Sequence, residues 1–304
     1  MATAVAGPGA KAIDWEVPEQ VGLWQDAWRR FRRNPVAIVG LAIVTTIVTV
    51  ALIAPVLVGL HLIADPLKQD TYHNFEPFFS GGHILGTDNL GRDVLARLMF
   101  GARISLTVGI VVQAIILLVG GAIGLTAGYF GGRVDNLLMR FTDIVYAFPD
   151  LLFILVIISV LGPSLLSIFV SIGVVNWVGL ARLVRGQVLS IREKEFIEGA
   201  RAAGSSPMKI ILKHLMPNSL GPVIVSLTFG IPQAIFLEAV LSYLGVGIPP
   251  PAASWGVMVQ DAYQAIFGYP QEVLAPAIAI AVTMLAFTFV GDGLRDALDP
   301  RMRR

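Results

Sequence analysis

The sequence predicts an all-α membrane protein with six transmembrane helices and both termini in the cytosol. Three observations carry that prediction. Hydrophobic residues make up 55% of the 304 positions and charged residues only 14%, against about 25% charged in an ordinary soluble domain. Six apolar stretches reach or approach membrane-spanning length. In the alternating topology that those stretches define, 18 of the 22 Lys and Arg residues fall on one side, which is the cytosolic side by the positive-inside rule. The mean hydropathy is +0.74, which excludes a disordered chain. A net charge of +1 offers no field for nucleic acid, and no basic and aromatic platform for it is visible. The absence of Cys excludes disulfides, cysteine-bound zinc, iron–sulfur clusters and thiol nucleophiles.

Residues 1–35 form a polar N-terminal arm. Its basic residues Arg29, Arg30, Arg32 and Arg33 come late, directly before an apolar run too long for a secretory signal. Val21, Trp24, Trp28 and Phe31 recur at helical spacing. Glu19 to Asn34 therefore reads as an amphipathic helix lying on the membrane, aromatic side down; the alternative is a basic flank without fixed structure. The first span is 36–60, uncharged over 25 residues. An extracytoplasmic loop, 61–103, follows. A core of five further spans occupies 104–294: Ile104 to Gly132, Phe141 to Leu161, Ser164 to Ala181, Ser219 to Leu244 and Val273 to Gly291. About 20 apolar residues cross the hydrocarbon as a helix, and lipid cannot satisfy a free backbone, so helices are the expected form. A basic tail, 295–304, ends the chain.

The loop 182–218 between the fourth and fifth spans is the most informative stretch. Ile191 to Ala203 holds good helix formers and no Pro. Gly204 suits a left-handed helix stop. Ser206 and Pro207 suit an N-cap and first turn. Pro217 is expected to end or kink the second helix. The loop thus reads as a compact helix–turn–helix, fit to dock in a groove of another protein.

These residues carry a resemblance. Glu198, Ala200, Gly204 and Pro217 stand at the spacing of the coupling motif of importer-type ABC permeases (Glu-Ala-Ala, three residues, Gly, nine residues, Ile-x-Leu-Pro). Gly199, His214 and Met216 depart from the general pattern. The run KHLMPN at 213–218 is instead similar to the peptide and nickel branch. HILGTDNLGRDVLARLMFGARISL at 83–106 and LEAVLSYLGVGIPPPAASWGVMVQDA at 237–262 resemble signatures of that branch. WRRFRRNPVAIVGLAIV at 28–44 is similar to the start of its C-type subunit.

The resemblance implies a type I ABC importer permease subunit for di- or oligopeptides, in the cell membrane. Nickel and glutathione permeases of the branch are the alternative. The implied partners are a homologous second permease, one or two ABC ATPase subunits, an extracytoplasmic solute-binding protein and membrane lipid. No G-x-x-x-x-G-K-[ST] loop occurs, so no enzyme activity and no cofactor is expected in this chain, with ATP and Mg on the ATPase partners. The resemblance implies coupling to the ATPase through Glu198, Gly199, Ala200, Arg201, Ala203, Gly204 and Pro217.

Other residues call for a reading of their own. Glu238 is the one charge of the fifth span; near its outer edge, within reach of water or Tyr243, it serves an outer gate or the substrate path. Arg92 and Asp93, in a turn-and-cap segment, and Trp255, after the stiff Pro249-Pro250-Pro251 run, are candidate contacts for the binding protein. Asp143 and Asp150 read as helix contacts near the cytosolic edge. Gly120, Gly124 and Gly128, at four-residue steps, predict close helix packing, within the chain or against the second permease. The four His show no metal spacing. A secondary ion-coupled transporter is the rival from another class. It would lean on Glu238 and Asp150 and leave the shaped loop unexplained. Substituting Glu198 and Gly204 separates the two.

Overall fold

The computed structural model describes residues 22–299; the expectations for 1–21, which include Val21, and for the tail beyond 299 lie outside them. Short α1 (Leu23–Phe31) leads into α2 (Pro35–Gly59), whose first turn is capped by Asn34 accepting from the amides of Val36 and Ala37. The core follows: α3 (Val94–Phe130), α4 (Gly132–Tyr146), α5 (Asp150–Leu161), α6 (Leu165–Arg192), α7 (Glu195–Ala202), α8 (Pro207–Ile210), α9 (Met216–Tyr243), α10 (Trp255–Ala262) and α11 (Pro270–Leu298). Among the described residues five helices are long and apolar enough to cross a membrane, and α4 with α5 supplies a sixth crossing if that bent pair is one span.

Several boundaries differ from the sequence expectations, each for a physical reason. The second span begins ten residues early, at Val94 rather than Ile104, because Asp93 caps α3 through the amide of Ala96 at 2.7 Å. The outer loop is shortened accordingly. The third span is not one straight helix: α4 and α5 meet at 85°. Pro149 disfavours helical backbone at Phe148 and brings no amide proton of its own. At about 1.5 Å per residue α5 alone is roughly 18 Å long, short of the about 30 Å hydrocarbon core. The fourth span runs on past Ala181 to Arg192, so Ile191 belongs to it and not to the loop helix.

The packing centre is the seam between α3 and α6. A Cβ added at Gly120 would lie 2.7 Å from the Trp177 carbonyl, at Gly124 2.6 Å from that of Ala181, and at Gly128 2.7 Å from the Val188 Cβ. The glycine ladder thus packs within the chain, and it lets two backbones approach where any side chain would hold them apart. Val108, Val112, Ile172, Val184 and Val188 fill the seam on either side. Helix α9 lies over it, and α2 with α11 closes the other flank.

Candidate functional site

Three helices of the core leave a cavity of about 200 Å³ between them. Helix α3 contributes Gln113, α6 contributes Asn176 and Gly179, and α9 contributes Ser226, Gly230 and Gln233. Apolar side chains, among them Val112, Ile116, Ile172 and Leu227, make up the rest of the wall. Gln113 is buried and its amide lies against Gly230, where a side chain would collide with it. Asn176 spends one amide proton on the Ile172 carbonyl at 2.9 Å. The result is a mid-span chamber with uncharged hydrogen-bonding groups on apolar walls. Such a lining can carry a polar solute without binding it tightly. These residues were not singled out from the sequence. The available signal was three carboxamides inside apolar spans, since a polar group in hydrocarbon needs a reason to be there.

At one end of the bundle α7 stands off as an exposed helix. Lys194 breaks it from α6, and Gly204, at φ +75°, ends it. Ser205 donates its amide to the Ala200 carbonyl at 3.0 Å and Gly204 donates to Arg201 at 2.9 Å. This is the double bond pattern of a Schellman stop, which needs a left-handed residue at Gly204. Ser206 caps α8 through the amide of Lys209, with Pro207 in the first turn. Glu198, Gly199, Arg201, Ala203 and Gly204 are exposed, while Ala200 is half-buried against the core and Ile197 is wholly buried. Arg201 lies over the Tyr129 ring at 5.8 Å.

Pro217 does not end this helix. A π turn at Ile211–Leu215 links α8 directly to α9, so 207–243 is one continuous rod. The missing amide and bulky ring of Pro217 disturb the carbonyl one turn back, and the wider π turn accommodates both. Asn218 and Ser219 donate to the carbonyls of His214 and Leu215 at 2.6 and 2.8 Å.

The same end is tied by charge. Arg185 grips Asp135 with two bonds at 2.5 and 2.6 Å, Arg182 reaches Asp143 at 2.8 Å, and Arg192 donates to the Gly128 carbonyl at 3.0 Å. Asp143 is thus a helix contact, while Asp150 is exposed at the start of α5.

At the opposite end the remaining candidates prove to be internal. Arg92 and Asp93 are buried. Arg92 bonds Asp88 at 2.7 Å and Asp261 at 3.1 Å, and Arg97 bonds the same two carboxylates at 2.5 and 2.8 Å. Asp93 caps α3 and takes His83 at 2.6 Å. Trp255 is buried too: its indole donates to the Leu98 carbonyl at 2.9 Å and its amide to Ser105 at 3.2 Å. A docking protein cannot touch these three side chains; they hold the loop before α3 onto α10. Glu238 is fully buried and, rather than meeting water or Tyr243, accepts from Ser242 at 2.7 Å and Ser254 at 2.5 Å. Its other oxygen has no hydrogen-bond partner among the described residues. It faces α10 and does not line the chamber.

A bundle of crossing helices with a polar chamber at mid-span and a helix hairpin at one end is a type I ABC importer permease fold. A solved inward-facing structure of the MetNI methionine ABC transporter has that fold, with a TM-score of 0.50 at 18% identity over 67% of this chain and 96% of that one. So does an amino acid ABC transporter solved with histidines, with a TM-score of 0.51 at 14% identity over 66% and 94%. The chain belongs to the family described as binding-protein-dependent transport system inner membrane component, which matches residues 120–304. The N-terminal TM domain of oligopeptide transport permease C matches residues 22–77. The dipeptide transport system permease protein DppC of Bacillus subtilis is 44% identical, over 92% of this chain and 86% of its own. The oligopeptide transport system permease protein OppC is 40% identical in the same organism, over 94% and 92%. In Escherichia coli K12 OppC is again 40% identical, over 92% of each chain. The protein is therefore a multi-pass membrane component of an ABC import system.

Proposed function

We propose that this chain carries di- or oligopeptides across the cell membrane as one half of a permease pair. A homologous second permease forms the other half, ABC ATPase subunits supply the energy, and an extracytoplasmic solute-binding protein delivers the substrate. The termini and the α7–α8 hairpin lie on the cytosolic side, in keeping with the distribution of basic residues. One observation carries the mechanism: the exposed helix α7 sits between α6 and α9, two of the three helices that wall the chamber. Force applied to α7 therefore reaches the chamber through the short break at 193–194 on one side and, beyond the tight turn at 203–206, through a continuous rod on the other. Glu198, Gly199, Arg201, Ala203 and Gly204 form the outward face offered to an ATPase groove. Ala200 anchors the inner face, and Pro217 with its π turn sets the angle at which the rod leaves the hairpin. The cycle is alternating access, driven by closure and reopening of the ATPase pair. Gln113, Asn176, Ser226 and Gln233 offer amide and hydroxyl groups to a peptide backbone on its way through.

The test is uptake of labelled di- and tripeptides into vesicles holding the complete transporter. Gly204→Val is expected to cut ATP-dependent uptake at least tenfold while the complex still purifies intact. Unchanged uptake would sink the coupling role. Uptake of a nickel chelate or glutathione in place of peptides would sink the substrate assignment and leave the coupling role standing.

A further inference from the structure

A second concavity lies at the start of the described residues, between α1 and the last turns of α11. It is a groove of about 670 Å³, lined by Asp26, Arg29, Arg30, Arg33, Asn34, Gly293, Asp296 and Ala297. Its chemistry is uneven. Arg30 is neutralised by Asp26 at 2.8 Å. Arg29 and Arg33 are exposed and make no ion pair among the described residues. The far wall offers one acidic group, the exposed Asp296. The groove thus sets two guanidinium groups without a described ion pair against one carboxylate, a net positive charge.

Its position narrows the choice of anion. Phe31 and Ala27 of α1 are buried against α11, through Ala297 and Leu294. Trp24 and Trp28 point outward on a neighbouring strip, 56% and 53% exposed. Trp28 is stacked on Phe31 at 5.8 Å, and Arg32 lies 6.0 Å over its ring. Two residues after Arg33 the chain enters α2, a helix long and apolar enough to cross a membrane. The arginines thus sit at the level of lipid headgroups, with indoles beside them at the acyl boundary.

We propose that this groove is a binding site for one anionic glycerophospholipid. Arg29 and Arg33 take the phosphate, Asn34 and the backbone around Gly293 border the glycerol, and the Trp24–Trp28 strip packs along the acyl chains. Guanidinium groups suit phosphate because their forked donors match its oxygens. The bound lipid bridges α1 to α11 beside the apolar contact of Ala27 and Phe31 with Leu294 and Ala297.

Native mass spectrometry of the full-length chain, released from mixed micelles of phosphatidylglycerol and phosphatidylcholine with the same acyl chains, tests this. Wild type is expected to retain one phosphatidylglycerol in about tenfold preference, a modest return for two surface arginines. Arg29→Gln with Arg33→Gln is expected to abolish the preference. Arg140→Gln, an exposed basic site on α4, should leave it unchanged. Asp296→Asn is expected to raise it two- to threefold, a gain that misfolding cannot mimic. Preference retained in the double variant, lost in Arg140→Gln, or lowered in Asp296→Asn would overturn the proposal. Displacement of the lipid by millimolar inorganic phosphate would also overturn it, since the site would then take free phosphate.

Discussion

The two ends of this bundle are built on opposite principles. At the end that holds α10, Arg92, Arg97, Asp88 and Asp261 form a closed ion cluster, Trp255 is sunk into α3, and Glu238 is locked by two serines. Glu272 of α11 lines a space of about 10 Å³ beside Asp88 and Arg97, buried and with neither oxygen hydrogen-bonded. At the other end α7 is held by Ile197, Ala200 and one glycine turn, and its remaining face is open. One end resists deformation because any opening strands buried charge. Helix α7 at the other end moves at lower cost, because Ile197 is its one fully buried side chain. A lever needs that asymmetry: a fixed frame at one end and a handle at the other.

The strongest way to break the contrast is at the frame. Arg97→Met leaves Asp88 and Asp261 short of a buried partner, and is expected to destabilise the fold by about 3–5 kcal/mol. A thermal melt of the purified chain in detergent measures it, and a loss under about 1 kcal/mol would show that the cluster is solvated. Second is the seam that links the two ends. Gly124→Val forces a branched side chain against the Ala181 carbonyl and Val184, at an expected cost of about 1–3 kcal/mol in the same melt.

The handle sharpens the comparison through a pair of equal changes with opposite signs. Gly204→Ala puts a side chain at φ +75° and is expected to cost α7 about 1 kcal/mol. Gly199→Ala, at a helical position with nothing within 4 Å of the new Cβ, is expected to stabilise α7 by about 0.5–1 kcal/mol. Hydrogen exchange of the amides of 195–205 reads both, and the global melt should hardly move. A global shift as large as that of Gly124→Val would mean that the handle is part of the frame.

The smallest effect lies on the outer loop, where His73 and Asp70 pair at 2.9 Å in solvent. The hydrogen bond from His73 holds the Asp70 carboxyl below its ordinary 3.8. The same contact raises His73 above its ordinary 6.5. Each shift adds stability on one side only. The histidine's contribution is complete below 6.5 and fades as pH rises through the raised value; the aspartate's is complete above 3.8 and fades as pH falls through the lowered one. Local exchange protection around 70–73 is therefore expected to be greatest between those limits, with a slight loss toward pH 8 and no change in the melt. Protection that rises toward pH 8 would reverse the sign.

How much of this was legible in the residues alone differs between the two ends. Gly204, Ser206 and Pro207 act through local backbone rules, and the hairpin they shape is the one the sequence predicts. The glycine ladder announced a close helix contact through its spacing. Pro217 reads as an end or a kink because a proline costs a helix one hydrogen bond and a clash. The π turn that absorbs both is built with the side chains of Asn218 and Ser219, which no local rule weighs. Arg92, Asp93 and Trp255 read as surface residues because charge in a loop is usually solvated. Arg92 is buried by pairing with Asp261, more than 160 positions away in the chain, and Trp255 by contacts with Leu98 and Ser105 at a similar distance in sequence.

Composition and periodicity are enough to show a helical membrane protein, which stretches of the chain its apolar spans occupy, and that one loop is a shaped hairpin. Those properties follow from hydrophobic transfer and backbone conformation, which act over a handful of neighbouring residues. Only the tertiary structure decided that α4 and α5 meet at 85°, that α3, α6 and α9 leave a polar chamber, and that the charged outer loop is an internal clasp. Those outcomes depend on which side chains meet across the bundle, and a pairing between distant residues leaves no trace in the local spacing of either.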